Sequence, residues 1–202
     1  MPTPKQSGLF AGLLALFSSA VFSETVIVNL EEPSTDGFYT GISNLRGWAV
    51  AESGIASIEI DVDGTYAFDV PMGGMRGDVA KVYPDFPDSD TSGFSMAYNY
   101  KGLAPGEYVF TARAISKGGG VATDSATVKV DRFLSSYIGD SSEVDTSTVS
   151  EVSFGDASFT LKGLTVEGHQ WDVVMDFDTA TQSFEIADIA EVGVPDTGAV
   201  CP

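Results

Sequence analysis

The chain has 202 residues, 43% of them hydrophobic, enough for one or two domains with a real core. It carries 29 acidic against 10 basic residues, a formal charge of −19, so nucleic acid and anionic lipid would repel it. A single cysteine (Cys201) and a single histidine (His169) exclude an intramolecular disulfide and an ordinary four-ligand structural zinc site.

The first segment has the pattern of an export signal over residues 1–23. Lys5 supplies positive charge, Leu9 to Phe17 is an apolar run, and Ser18 and Ala20 are small residues at the −3 and −1 positions of a cleavage site. Val21 and Ser23 offer a second site, with a mature start at Glu24. The run is shorter than the roughly 20 residues that span a bilayer. No cysteine follows it to carry a lipid, and no later stretch is apolar enough to span. The expected location is secreted, periplasmic or cell-surface.

Residues 24–131 read as a β-sandwich. Thr25 to Leu30 is a first strand; Gly41 to Ala51, with Leu45, Gly47, Trp48 and Val50, is a second. Ile58, Ile60 and Val62 alternate with polar residues, as do Tyr66, Phe68 and Val70 after Asp63-Gly64. Asp-Gly between alternating runs predicts a two-residue hairpin, because its turn needs positive φ twice. A long connection from Pro71 to Ser92 follows. Alternation returns at Phe94, Met96, Tyr98 and Tyr100, then at Tyr108, Phe110, Ala112 and Ala114, and finally over Val121 to Val130 after three glycines. About seven short strands in this length suit an immunoglobulin-type sandwich.

The segments Gly47-Trp48-Ala49-Val50, Gly54 to Ile60 with Asp63-Gly64, Gly77-Asp78-Val79-Ala80 to Tyr83-Pro84, and Ser92-Gly93-Phe94 resemble bacterial Ig-like domains of exported proteins. The ending, Leu103 with Pro105-Gly106 and Tyr108 and then Thr111 to Ala114, is similar to the same family. It also resembles a tyrosine corner, in which a Tyr hydroxyl ties to backbone upstream. The resemblance covers about half the chain and implies a spacer, adhesive or accessory role. The paired cysteines of antibody domains are missing, and Trp48 is expected to fill part of that core volume.

Beyond the sandwich, Phe133, Leu134, Tyr137 and Ile138 have the spacing of one helical turn. Residues 132–150, Ser-, Asp- and Thr-rich from Gly139, read as a linker. Residues 151–190 read as a three-stranded antiparallel β-meander, with a bulge at Gly163. Its Trp171, Phe177 and Phe184 are expected to bury against the sandwich, the Phe133 segment or a second chain. Residues 191–202 read as a frayed tail. The fold expected is thus all-β, an Ig-like β-sandwich followed by a small meander.

His169 falls in a turn with no nucleophile elbow in the chain, so no hydrolytic triad is expected. Calcium is the chemical candidate, since hard oxygen ligands suit it and Asp85, Asp88 and Asp90 cluster in the long connection. Asp61 and Asp63 begin an EF-hand-like string that lacks its remainder, and Asp63-Gly64 fits a hairpin turn better. Arg76-Gly77-Asp78 spells an integrin-type tripeptide inside a segment that fits the Ig-like pattern. Tyr83, Phe86 and Phe94 suit packing, or stacking on a sugar. The expectation is a non-catalytic exported interaction or accessory protein, with a protein or polysaccharide of the cell envelope as partner. The alternative is a calcium-assisted carbohydrate-binding or adhesive protein. The Pro71 to Ser92 loop is the expected contact surface.

Overall fold

The computed structural model describes residues 24–179 and 181–193. The expected export leader, Cys201 and most of the expected tail lie outside them. Within residues 24–131 the strands are β1 (Val26–Glu32), β2 (Phe38–Tyr39), β3 (Ile42–Ala51), β4 (Ile55–Val62), β5 (Thr65–Asp69), β6 (Met72–Gly74), β7 (Gly93–Asn99), β8 (Gly106–Ser116) and β9 (Val121–Val130). They form one sheet of order β1-β3-β7-β6 and a second of order β2-β9-β8-β4-β5. All pairings are antiparallel except β2 with β9. That is the immunoglobulin arrangement: four strands face the trio β4-β8-β9, which β5 and β2 extend.

Local chemistry sets the corners. Asp63 and Gly64 both take left-handed φ, +49° and +75°, as the hairpin requires. The Asp63 carboxylate also accepts the Val109 N–H at 2.8 Å, tying the hairpin to β8. The Tyr108 hydroxyl donates to the Ala104 carbonyl at 3.0 Å, so the tyrosine corner is formed.

Aromatic rings fill the core. Tyr100, wholly buried, stacks on Tyr39 at 4.5 Å and meets Tyr98 and Phe110 edge-on or tilted. Its hydroxyl donates to the Asn44 carbonyl, and burial pushes its pKa well up. Trp48 does not fill this core. Leu45 and Ala49 share the inward face of β3, so Trp48 points outward, half-buried, with its ring 5.5 Å from Tyr83. Gly47 is inward instead, where a Cβ would collide with the Asn29 carbonyl and the Phe94 ring.

The remaining strands are β10 (Val144–Asp145), β11 (Glu151–Phe154), β12 (Ser158–Val166), β13 (His169–Asp178) and β14 (Ser183–Glu191). They make a five-stranded sheet of order β10-β12-β13-β14, with β11 also on β12: the expected antiparallel meander is β12-β13-β14, and β10 and β11 extend it. Gly163, at φ +75°, sits in the register shift between Leu161 and Leu164, the predicted bulge.

The 132–150 segment is not a free linker. Its β10 pairs with β12, and its Asp140 and Asp145 side chains accept the Ser142 and Ser147 N–H groups, capping short 3-10 turns. The spacing around Phe133 forms bends rather than a helical turn. Phe133 drops edge-on against Trp171 at 5.3 Å, and Tyr137 is left 81% exposed. Phe133, Ile138 and Val149, with Phe38 from the sandwich, cover a buried row of Leu164, Val166, Trp171, Val173 and Ile189. The segment is therefore the second layer that this sheet needs. Lys129 completes the junction, 3.3 Å from Asp188 and over the Phe38 ring.

Candidate interaction site

The Pro71 to Ser92 connection is an ordered cover on the outer face of the first sheet. It carries β6 and the short helix α1 (Gly77–Val82), whose Val79 is buried. Trp48, Tyr83 and Phe86 form a chain of ring contacts there, while Phe94 belongs to the sandwich core. Arg76 locks the connection down. Its guanidinium donates to Asp78 at 2.6 Å and to Glu31 at 2.8 Å. The hydrogen bond to Asp78 leads in holding the arginine pKa above its usual value, and the same bond holds the Asp78 carboxyl well below its own. The Arg-Gly-Asp string is thus a structural clasp, with Arg76 largely buried.

The candidate calcium ligands stay apart. Asp88 takes φ +56° before a 3-10 turn and lies 3.7 Å from Lys117, and Asp90 receives the Arg76 N–H on its backbone carbonyl. Asp85 is exposed in the preceding turn. Among the described residues, no group of three or more His, Cys, Asp or Glu side chains stands where it could hold a metal ion. His169 begins β13, exposed, with Nδ1 2.5 Å from Glu191 Oε1. A shallow cavity of about 270 Å³ opens under the connection, lined by Ala49, Ile55, Met72, Pro87 and Thr91. A second, of about 390 Å³, lies where the two bodies meet, between Glu32, Tyr39, Arg46 and Glu185.

An apolar feature is left open on the second sheet. Register places Phe154 opposite Phe159, Phe159 opposite Met175, and Phe177 opposite Phe184. These side chains continue the apolar face that Phe133 and its neighbours cover further along. Nothing among the described residues covers this end. Phe154 is 81% exposed, Phe184 49%, Val152 43% and Phe177 37%. The Phe159 and Phe177 rings both meet Phe184 edge-on, at 5.2 and 5.4 Å. The sequence led to the expectation that Phe177 and Phe184 bury against the sandwich, the Phe133 segment or a second chain; within this chain neither the sandwich nor the Phe133 segment covers them. The alternation that marks them as one face does not say how far a cover reaches.

No family model matches the chain, and no curated protein matches it. Solved structures do. The fibronectin(III)-like modules of Clostridium thermocellum CbhA align at 16% identity over 52% of this chain and 98% of theirs, with a TM-score of 0.34. The N-terminal Ig1-2 module of the Drosophila receptor protein tyrosine phosphatase DLAR aligns at 11% identity over 84% and 97%, with a TM-score of 0.33. SGBP-B of a Bacteroides ovatus mixed-linkage glucan utilization locus, in complex with a mixed-linkage heptasaccharide, aligns at 11% over 82% of this chain and 47% of that one, with a TM-score of 0.32. The immunoglobulin assignment rests on the strand order, the parallel β2–β9 pair and the Tyr108 corner. Among the described residues no helix is long and apolar enough to cross a membrane.

Proposed function

We propose that this protein is a non-catalytic interaction or accessory module exported from a bacterial cell, and that it docks through the open phenylalanine face of its second sheet. The observation that carries this is Phe154, Phe177 and Phe184 standing open on one rigid sheet. Contiguous exposed apolar surface of this kind marks interaction sites on folded proteins. The export-signal pattern of residues 1–23 supports a place outside the cytoplasm.

The test is capture. Purified protein with Cys201→Ser is immobilised and offered the envelope and medium fractions of the producing cell, beside a Phe154→Ser variant. The expected outcome is one protein enriched by the parent and lost by the variant. Retention of polysaccharide alone would replace a protein partner by a glycan. Turnover of any member of a chromogenic glycoside and ester panel would overturn the non-catalytic reading.

A further inference from the structure

We infer that the occupant of the open phenylalanine face is a second copy of this chain, packed face to face about a two-fold axis; this rests on the reading of that face as the docking site. Composition, area and shape each select this partner.

The first is composition. Residues directly opposite one another on antiparallel strands point to the same side of a sheet, and successive residues alternate. The register pairs Val152 with Leu161, Phe154 with Phe159, and Phe177 with Phe184 on the open side. The pairs that alternate with these, Glu151 with Lys162 and Asp176 with Glu185, point to the other side. Glu185 there lines the cavity toward Tyr39 and Arg46, and Asp188 is held by Lys129. The strands thus place apolar side chains alone on the open end, although the chain carries −19. A partner of different sequence is registered and steered by complementary charge, and these strands present none on this side. Interfaces depleted of charge and rich in apolar area are the mark of homodimers. A two-fold contact needs only a patch that complements itself, and a wholly apolar patch does so.

The second is area. The exposed parts of Phe154, Phe177, Phe184 and Val152 amount to an apolar surface on the order of 400 Å², taking roughly 200 Å² for a whole phenylalanine. Two copies bring together about 800 Å². Homodimer interfaces are about 65% apolar, so this is the apolar share of an interface of roughly 1,200 Å², where stable specific contacts begin.

The third is shape. Phe159 and Phe177 meet the Phe184 ring at 61° and 73°. The ridges and gaps of such a cluster are filled by further rings in the same edge-to-face manner, and a second copy supplies them. The 132–150 segment covers the other end of this apolar side with Phe133, Ile138 and Val149. The second copy would complete, at the open end, the second layer that each sheet needs.

The measurement is sedimentation of the full chain carrying Cys201→Ser, which removes any intermolecular disulfide, over a wide range of concentrations. A reversible monomer–dimer equilibrium is expected. Phe154→Ser and Phe184→Ser are each expected to weaken it roughly tenfold or more, since each removes ring area from both copies at once. Far-UV circular dichroism matching the parent shows that these variants remain folded. Phe154→Trp is expected to keep the dimer, with its emission moving to shorter wavelength as concentration rises and the ring leaves water. Sodium chloride is expected to tighten the dimer, because it screens the repulsion between two acidic copies while leaving an apolar contact intact. A dimer that salt loosens, or that survives both serine variants, overturns the inference. So does a chain that stays monomeric throughout. If that monomer still captures an envelope protein of different sequence in a Phe154-dependent way, the docking face stands and the second copy falls; if it captures nothing, both fall.

Discussion

At the scale of single residues, much of the acidic character is put to structural use. Glu24, at the start of the described chain, bridges two turns: its carboxylate accepts the Ser53 N–H at 2.6 Å and the Ser116 hydroxyl at 2.5 Å. The Ser116 bond, followed by those from Ser53, lowers the Glu24 pKa. A carboxyl whose folded pKa lies below its unfolded value adds stability that is complete above the unfolded value and is lost as pH falls through the folded one. Replacing Glu24 by Gln is therefore expected to lower the melting temperature at pH 7 by a few degrees or less. The gap between variant and parent should close as pH falls from 5 towards 2. A gap that stays constant across that range would mean that the loss does not come from the ionised carboxylate, and no gap at any pH would mean that the amide reproduces both hydrogen bonds. Asp140 and Asp145 have lowered pKa values for a similar reason, each held by a serine at the start of a 3-10 turn.

At the scale of elements, features with a local cause were legible in the sequence. The Asp63-Gly64 hairpin, the Gly163 bulge and the Tyr108 corner each follow from conformational or hydrogen-bonding demands that only certain residues meet. Features decided by what packs on what were not. Alternation in β3 sorts Trp48 from Leu45 and Ala49 but does not say which side is the core, and the larger residue lies on the outer side. Two-residue strands such as β2 and β10 are too short to show any period. The 132–150 segment looks like a linker because its turns are closed by serine, threonine and aspartate, yet these same residues fix it as a cover. Closeness in sequence likewise does not by itself assemble Asp85, Asp88 and Asp90 into a ligand group among the described residues. The cover yields a prediction. Phe133 is 8% exposed and meets Trp171; Phe133→Ala should cost about 3–5 kcal/mol, as large-to-small core changes do. Because the loss falls on the second sheet, limited proteolysis should cut within 132–193 in the variant while the sandwich survives intact. Cleavage spread evenly along the chain would show instead that the two bodies unfold as one.

At the scale of the whole molecule, the −19 charge sets a balance between local ion pairs and global self-repulsion, and the two respond oppositely to salt. Among the described residues the pairs include Arg46 with Glu32, Arg76 with Glu31 and Asp78, Arg113 with Glu59 and Asp61, Lys117 with Asp88, and Lys129 with Asp188. The exposed ones, Lys117–Asp88 and Lys129–Asp188, contribute about 0–1 kcal/mol each, and screening removes part of that. The acids exceed the bases by 29 − 10 = 19, and folding holds them closer together than the unfolded chain does. Screening that repulsion should outweigh the weakened pairs. Raising sodium chloride from about 0.01 to 0.5 M, which shortens the Debye length from roughly 30 Å to a few ångströms, is therefore expected to raise the melting temperature. Calcium chloride at matched ionic strength separates screening from specific ligation. With the loop aspartates apart, it should raise the melting temperature no further than sodium does. A fall in melting temperature with sodium chloride would place the ion pairs above the repulsion. An additional rise in calcium that Asp88→Asn abolishes would show that the ion gathers these side chains itself.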